Sequence, residues 1–111
     1  MEKDLFDTSA LIALRQESQE LTGATTILNL IEFPKAREFR LLRVIYPTRE
    51  DHDYALTTAL KLLQRGTPIP AIDIIAAAVC SRRGLVLNTK DRHYEHIANV
   101  DSSLVLRLMG K

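Results

Sequence analysis

The sequence predicts an α/β domain with a mainly parallel central sheet, and three observations carry that expectation. Short apolar or β-branched runs alternate with helix-forming runs along all 111 residues, as successive strand–helix–strand crossovers require. Helix punctuation recurs between them, with Gly66 and Gly84 as stops and Pro70 as a start. Four acids, Asp7, Glu32, Asp73 and Asp91, stand where a strand ends or a helix begins. An open parallel sheet gathers such positions at the carboxyl edge of its strands.

Element by element, Lys3 to Phe6 reads as a strand, and Asp7-Thr8-Ser9 as the turn into a helix over Ala10-Leu11-Ile12-Ala13-Leu14. A polar turn over 16–23 leads to a strand from Ala24 to Leu28 and a helix from Asn29 to Leu42. Pro34 is expected in that helix's first turn, where the missing N–H costs little. Val44-Ile45-Tyr46 is a brief strand halted by Pro47, and a helix follows whose apolar face shows Ala55, Ala59 and Leu62 beside Leu56, Leu60 and Leu63, until Gly66. Pro70 then opens a helix over Ala71 to Arg83, closed by Gly84. Leu85 to Asn88 is a buried-type strand, Asp91 to Ala98 a short helix or turn, and Ser103 to Leu108 a last strand.

A hydrophobic content of 46% and a charged content of 26% fit one soluble domain over residues 1–111. No apolar run approaches a membrane span and no signal-peptide layout is seen, so a cytoplasmic location is expected. The single cysteine, Cys80, lies in an apolar run; it reads as a core residue, with neither an internal disulfide nor a thiolate zinc cluster. The net charge is +1, but setting the four acids in one cleft leaves 10 acids against 15 bases elsewhere. A basic surface around an acidic hole suits a polyanion that must approach metal ions.

Each acid also has an ordinary structural reading. Asp7, Thr8 or Ser9 can cap a helix, and Glu32, three residues after Asn29, fits a capping box. Asp73 can favour the first turn of its helix through the dipole, and Asp91 can be a turn residue. As a set they form a candidate site for a hard divalent cation, since clustered carboxylates repel one another unless one is present. Asp73 is singled out by its surroundings, Ile69, Ala71, Ile72, Ile74 and Ile75. Lys90 and Arg92 beside Asp91 would meet phosphates, with Lys35, Arg37 and Arg82 as further candidates. His93 and His96 have too few companion ligands for a zinc site.

These motifs resemble those of PIN-domain proteins of the small prokaryotic VapC type, over nearly the whole chain. The resemblance rests on Asp7-Thr8-Ser9-Ala10-Leu11, Glu32 opening the second helix, Asp73-Ile74-Ile75-Ala76-Ala77-Ala78, and Leu87-Asn88-Thr89-Lys90-Asp91-Arg92-His93-Tyr94. It implies a compact variant of a three-layer α/β/α fold and a Mg²⁺- or Mn²⁺-dependent endoribonuclease. It further implies a homodimer that cleaves RNA and is held inactive by an antitoxin protein. Asp7, Glu32, Asp73 and Asp91 would be the catalytic, metal-binding quartet, Ser9 and Thr89 its supporting hydroxyls, and Tyr94 a packing residue where phenylalanine is usual. The segments between Asp7 and Glu32 and between Glu32 and Asp73 are shorter than the family's pattern.

Two other readings make different demands. A phosphoacceptor receiver domain wants paired acids after the first strand and an aspartate after the middle one, whereas Asp4 and Asp7 are not adjacent and Val44-Ile45-Tyr46 has no acid. A catalytically silent PIN-like module that binds RNA or a protein would bind neither Mg²⁺ nor Mn²⁺.

Overall fold

A computed structural model describes residues 3–18 and 20–110; Gln19, inside the expected 16–23 turn, lies outside the described residues. Five strands form one all-parallel sheet in the order β3-β2-β1-β4-β5. They are β1 (Asp4–Phe6), β2 (Gly23–Thr26), β3 (Leu42–Ile45), β4 (Val86–Thr89) and β5 (Val105–Leu108). The helices are α1 (Thr8–Gln16), α2 (Ile27–Glu32), α3 (Arg49–Gln64), α4 (Ala71–Arg83) and α5 (Tyr94–Val100), with a 3-10 helix at Pro34–Glu38.

Side chains alternate across a strand, so Leu5 and Phe6 point to opposite faces of the sheet. Leu5 joins a core with Leu62 of α3, Val79 of α4 and Ile97 of α5. Phe6 joins a second core with Ala10 and Leu11 of α1 and with Ala36 and Phe39 at the 3-10 helix. Helices thus cover both faces, which gives the three layers. All four residues of β2 are buried, whereas the edge strand β5 alternates exposed and half-buried positions. This is the difference expected between strands flanked on both sides and strands at an edge.

Most boundaries follow local chemistry. Thr48 and Asp51 close a reciprocal capping box on α3. Gly84 ends α4 at φ 68°, where a Cβ is disfavoured. Ala76, Ala77 and Ala78 are buried, and their small side chains let α4 pack closely into the core.

The second helix departs from the sequence expectation. Thr26, not Asn29, is its cap, accepting from the Asn29 N–H, and α2 ends at Glu32 rather than beginning near it. Pro34 follows that end and opens the separate 3-10 helix. Its lack of an N–H and its constraint on Phe33 stop an α-helix there. No helix among the described residues is long and apolar enough to cross a membrane.

Candidate functional site

The strand order turns at β1 and β4: from β1 the chain builds outward through β2 and β3 on one side, then returns to β4 and β5 on the other. The carboxyl edge between two such strands is where open α/β sheets bind ligands. Asp7 follows β1 directly and Thr89 is the last residue of β4, so both stand at this point.

Asp7 is buried and held by three donors. Its Oδ1 accepts from Ser9 Oγ at 2.8 Å and from the Ala10 N–H at 3.0 Å, and its Oδ2 accepts from Thr89 Oγ1 at 2.6 Å. Ser9 and Thr89 lie 3.1 Å apart and also receive the Lys90 and Asp91 N–H groups, each at 3.0 Å. The cap of α1 and the turn after β4 are thereby tied into one hydroxyl network. Burial nonetheless pushes the Asp7 pKa up; the three hydrogen bonds oppose it, and the nearby Asp73 charge adds to it.

Asp73, in the first turn of α4, approaches from the side. The Tyr94 hydroxyl donates to its Oδ1 at 3.0 Å. Tyr94 is fully buried, and its hydroxyl pKa is driven upward by burial first and then by the charges of both Asp7 and Asp73. The Tyr94 phenol is therefore a buried hydrogen-bond donor to Asp73 as well as the packing residue read from the sequence. His93 Nε2 sits 2.8 Å from Asp73 Oδ2, and Nδ1 sits 3.2 Å from Asp91 Oδ1. The Nε2 contact lacks hydrogen-bond alignment, and that atom is buried without a hydrogen-bond partner.

The remaining predicted residues lie at the margins. Asp91 is half-exposed and turned toward His93. Glu32 is exposed and accepts from Thr8 Oγ1. Thr8 in turn accepts from Asn29 Nδ2 at 3.0 Å, and Asn29 Oδ1 accepts from Thr26 at 2.7 Å. This relay links Glu32 to the residue beside Asp7, and buried Asn29 has a part in it that the sequence reading assigned instead to capping. Lys90 and Arg92 line a cleft of about 410 Å³ with Leu108, Met109 and Gly110, at the carboxyl end of β5; Arg92 also pairs with Glu95 at 3.2 Å. Lys35 and Arg37 sit on the 3-10 helix after Glu32.

Arg82 is a correction. It binds Asp51 at 2.7 Å near the far end of α4, roughly 14 Å along the helix from Asp73 at 1.5 Å per residue, and so points away from the site. His93 and His96 do not form a pair: His93 turns into the acids and His96 is exposed. The bridging role of His93 had one sequence signal, its position between Asp91 and an aromatic residue in a tight turn.

No protein-family profile matches the chain, and neither does any curated protein sequence. Solved structures do. A chain of the DNA-bound VapBC complex from Salmonella typhimurium superposes with a TM-score of 0.79 at 18% identity, over 96% of this chain and 98% of that one. These two chains share a fold, the PIN-like three-layer α/β/α arrangement expected from the sequence. VapBC-1 from nontypeable Haemophilus influenzae gives a TM-score of 0.72 at 18% identity over 94% and 96% of the two chains. A toxin–antitoxin complex from Klebsiella pneumoniae gives 0.65 at 16% identity over 92% and 95%.

The donor chemistry at this sheet edge is of the kind a hard divalent cation takes. Asp7 and Asp73 are hard oxygen donors, close enough to affect each other's charge, and Asp7 is too buried for water to offset that charge fully. The arrangement is not a closed cage. Among the described residues, no three Asp, Glu, His or Cys groups converge as ready-made ligands, while Asp73 already has Tyr94 on one oxygen and His93 on the other.

Proposed function

We propose that this PIN-fold chain is a Mg²⁺- or Mn²⁺-dependent endoribonuclease, the toxin of a toxin–antitoxin pair. The observation that carries the reading is the meeting of Asp7 and Asp73 at the sheet's switch point, with Ser9 and Thr89 fixing Asp7. Asp7 and Asp73 would hold the cation, with Asp91 and Glu32 at the rim. A bound divalent ion supplies the Lewis acid that activates water and stabilises the leaving oxygen in phosphodiester hydrolysis.

The chain's own residues do the rest. Ser9 and Thr89 keep the Asp7 oxygens in one orientation, as second-layer hydrogen bonds do around metal ligands. Lys90 and Arg92 place positive charge along the adjoining cleft, where an RNA backbone would bind, and Leu108 and Met109 offer it apolar surface. Hydrolysis by this route needs no side-chain nucleophile. The toxin–antitoxin complexes among the structural neighbours support an antitoxin partner, and an exposed leucine stripe on α3 supports a homodimer.

The test is cleavage of single-stranded RNA with and without Mn²⁺. Asp73→Asn should lower Mn²⁺-stimulated cleavage by about 100-fold or more, the range seen when a group stabilising transition-state charge is removed, while circular dichroism stays native. Retained cleavage would sink the assignment. The occupied oxygens of Asp73 favour one rival, a silent PIN module that binds RNA or protein; an absence of Mn²⁺ binding in calorimetry would select it.

A further inference from the structure

We propose that His93 is a displaceable internal partner for the acids, holding Asp73 and Asp91 where a divalent cation would otherwise do so. Cation binding and release of the imidazole are then one event. The inference rests on the metal-dependent reading above and concerns how the site stays ordered without its ion.

Three features of the geometry carry it. First, one ring spans two carboxylates that belong to different elements. Its nitrogens lie 2.8 Å from Asp73 on α4 and 3.2 Å from Asp91 in the turn after β4, so the ring stands between two carboxylates that a cation would otherwise share. Second, the contact is close but poorly made: Nε2 is buried, near an acceptor oxygen, and has no aligned hydrogen bond. A buried polar nitrogen left in that state costs free energy, so little is lost when it leaves. Third, the ring has somewhere to go. The His93 side chain remains 28% exposed and precedes α5 with no capping hydrogen bond of its own. Tyr94 beside it is fully buried and is the fixed half of the pair, its hydroxyl remaining on Asp73 Oδ1.

Removal of His93 opens Asp73 Oδ2 and frees Asp91, so the cation no longer competes with the ring. A ligand that must first displace an internal partner binds more weakly by the population of the open form. With the ring in place in about four molecules of five, that arithmetic makes the folded His93→Ala chain bind Mn²⁺ about fivefold more tightly than wild type in calorimetry. His93→Gln, which retains one side-chain donor, should fall between the two in affinity.

A positional readout separates this from a merely structural role. Addition of Mg²⁺ to the wild-type chain should move the imidazole ¹⁵N resonances of His93 and leave those of exposed His52 and His96 in place. Equal or weaker Mn²⁺ binding by His93→Ala overturns the proposal, and so do unmoved His93 resonances at saturating Mg²⁺. An absence of Mn²⁺ binding in both wild type and His93→Ala removes the metal-dependent reading itself, and the displacement idea with it. Should His93→Ala fail to fold, His93→Gln and the wild-type resonances decide the matter.

Discussion

Asp7 has two functions in one carboxylate. As the cap of α1 it accepts the Ala10 N–H, and as a buried acid near Asp73 it carries a charge that burial disfavours. Asparagine caps a helix about as well as aspartate, so Asp7→Asn separates the two. Without metal at pH 7 the variant should be the more stable protein, because the buried charge is gone. The sign follows from the raised folded-state pKa: wild-type Asp7 destabilises most when ionised and ceases to do so as pH falls through that pKa toward 3.8. The stability gap between variant and wild type, measured by urea unfolding, should therefore shrink toward acid pH. A gap that widens on acidification would contradict it.

Asp51 has the opposite sign. It is fully buried and gripped by Arg83 Nη1 and Nη2, each at 2.8 Å, and by Arg82 at 2.7 Å. Hydrogen bonds from these guanidinium groups and from the Thr48 N–H hold its pKa well below the usual carboxylate range despite its burial. Its contribution is complete above the ordinary aspartate pKa of about 4 and is lost as pH falls below that. Asp51→Asn should cost about 3 kcal/mol at pH 7, at the lower end for a broken buried ion pair because both arginines stay partly in water, and should flatten the acid limb of the stability curve. An unchanged acid limb would place the titration elsewhere. Asp51 was not legible in the sequence: it sits among Glu50, His52 and Asp53 like any solvated helix start, and its partners lie 31 and 32 residues away. Asp7 and Asp73 could be read because each adjoins an element whose type its neighbours fixed.

Helix α4 shows how much of an element local chemistry specifies: Pro70 before it and Gly84 after it set both of its ends as expected. The second helix shows where this fails. The threonine and isoleucine content of Ala24 to Leu28 reads as a strand, which puts the expected helix start at Asn29. Tertiary contact decides it. Thr25 donates to the Phe6 carbonyl at 2.7 Å as part of the sheet, and Thr26, one residue on, caps α2. Glu32 consequently moves from the start of a helix to its end, away from the favourable pole of the dipole. Gly23 makes the neighbouring strand possible. Its φ is 147°, and a Cβ there would come within 2.8 Å of both the Asp4 carbonyl oxygen and the Phe6 ring. Gly23→Ala combines backbone strain with overpacking, each about 1–3 kcal/mol, so a loss of about 2–4 kcal/mol is expected in denaturant unfolding. A loss below 1 kcal/mol would show that β1 and β2 can separate slightly without cost.

Among the described residues, α3 presents an uncovered apolar stripe to the outside of the molecule. Leu56, Leu60 and Leu63 on α3 are 61%, 54% and 69% exposed, and their spacing of four and three residues puts them in one stripe. The stripe borders two apolar clefts, one with Ile74 and Ile75 of α4 and one with Pro68 and Ile69 of the connector. Such a continuous patch on a small domain marks an interaction surface, and the proposed homodimer would cover it with a second copy. Under two-fold symmetry each leucine counts twice, and full burial of one is worth about 1.5–3 kcal/mol. Leu60→Glu replaces that gain with a charge buried against its own copy, so the dimer dissociation constant should rise by about 100-fold or more, read by sedimentation equilibrium. Because Leu60 lies in the exposed stripe and outside the α3 core position Leu62, the fold should be kept and the variant should sediment as a monomer. A dimer unchanged in both Leu60→Glu and Leu63→Glu would move the interface off α3, and a wild-type chain that stays monomeric at high concentration would remove self-pairing and leave the stripe for a different protein.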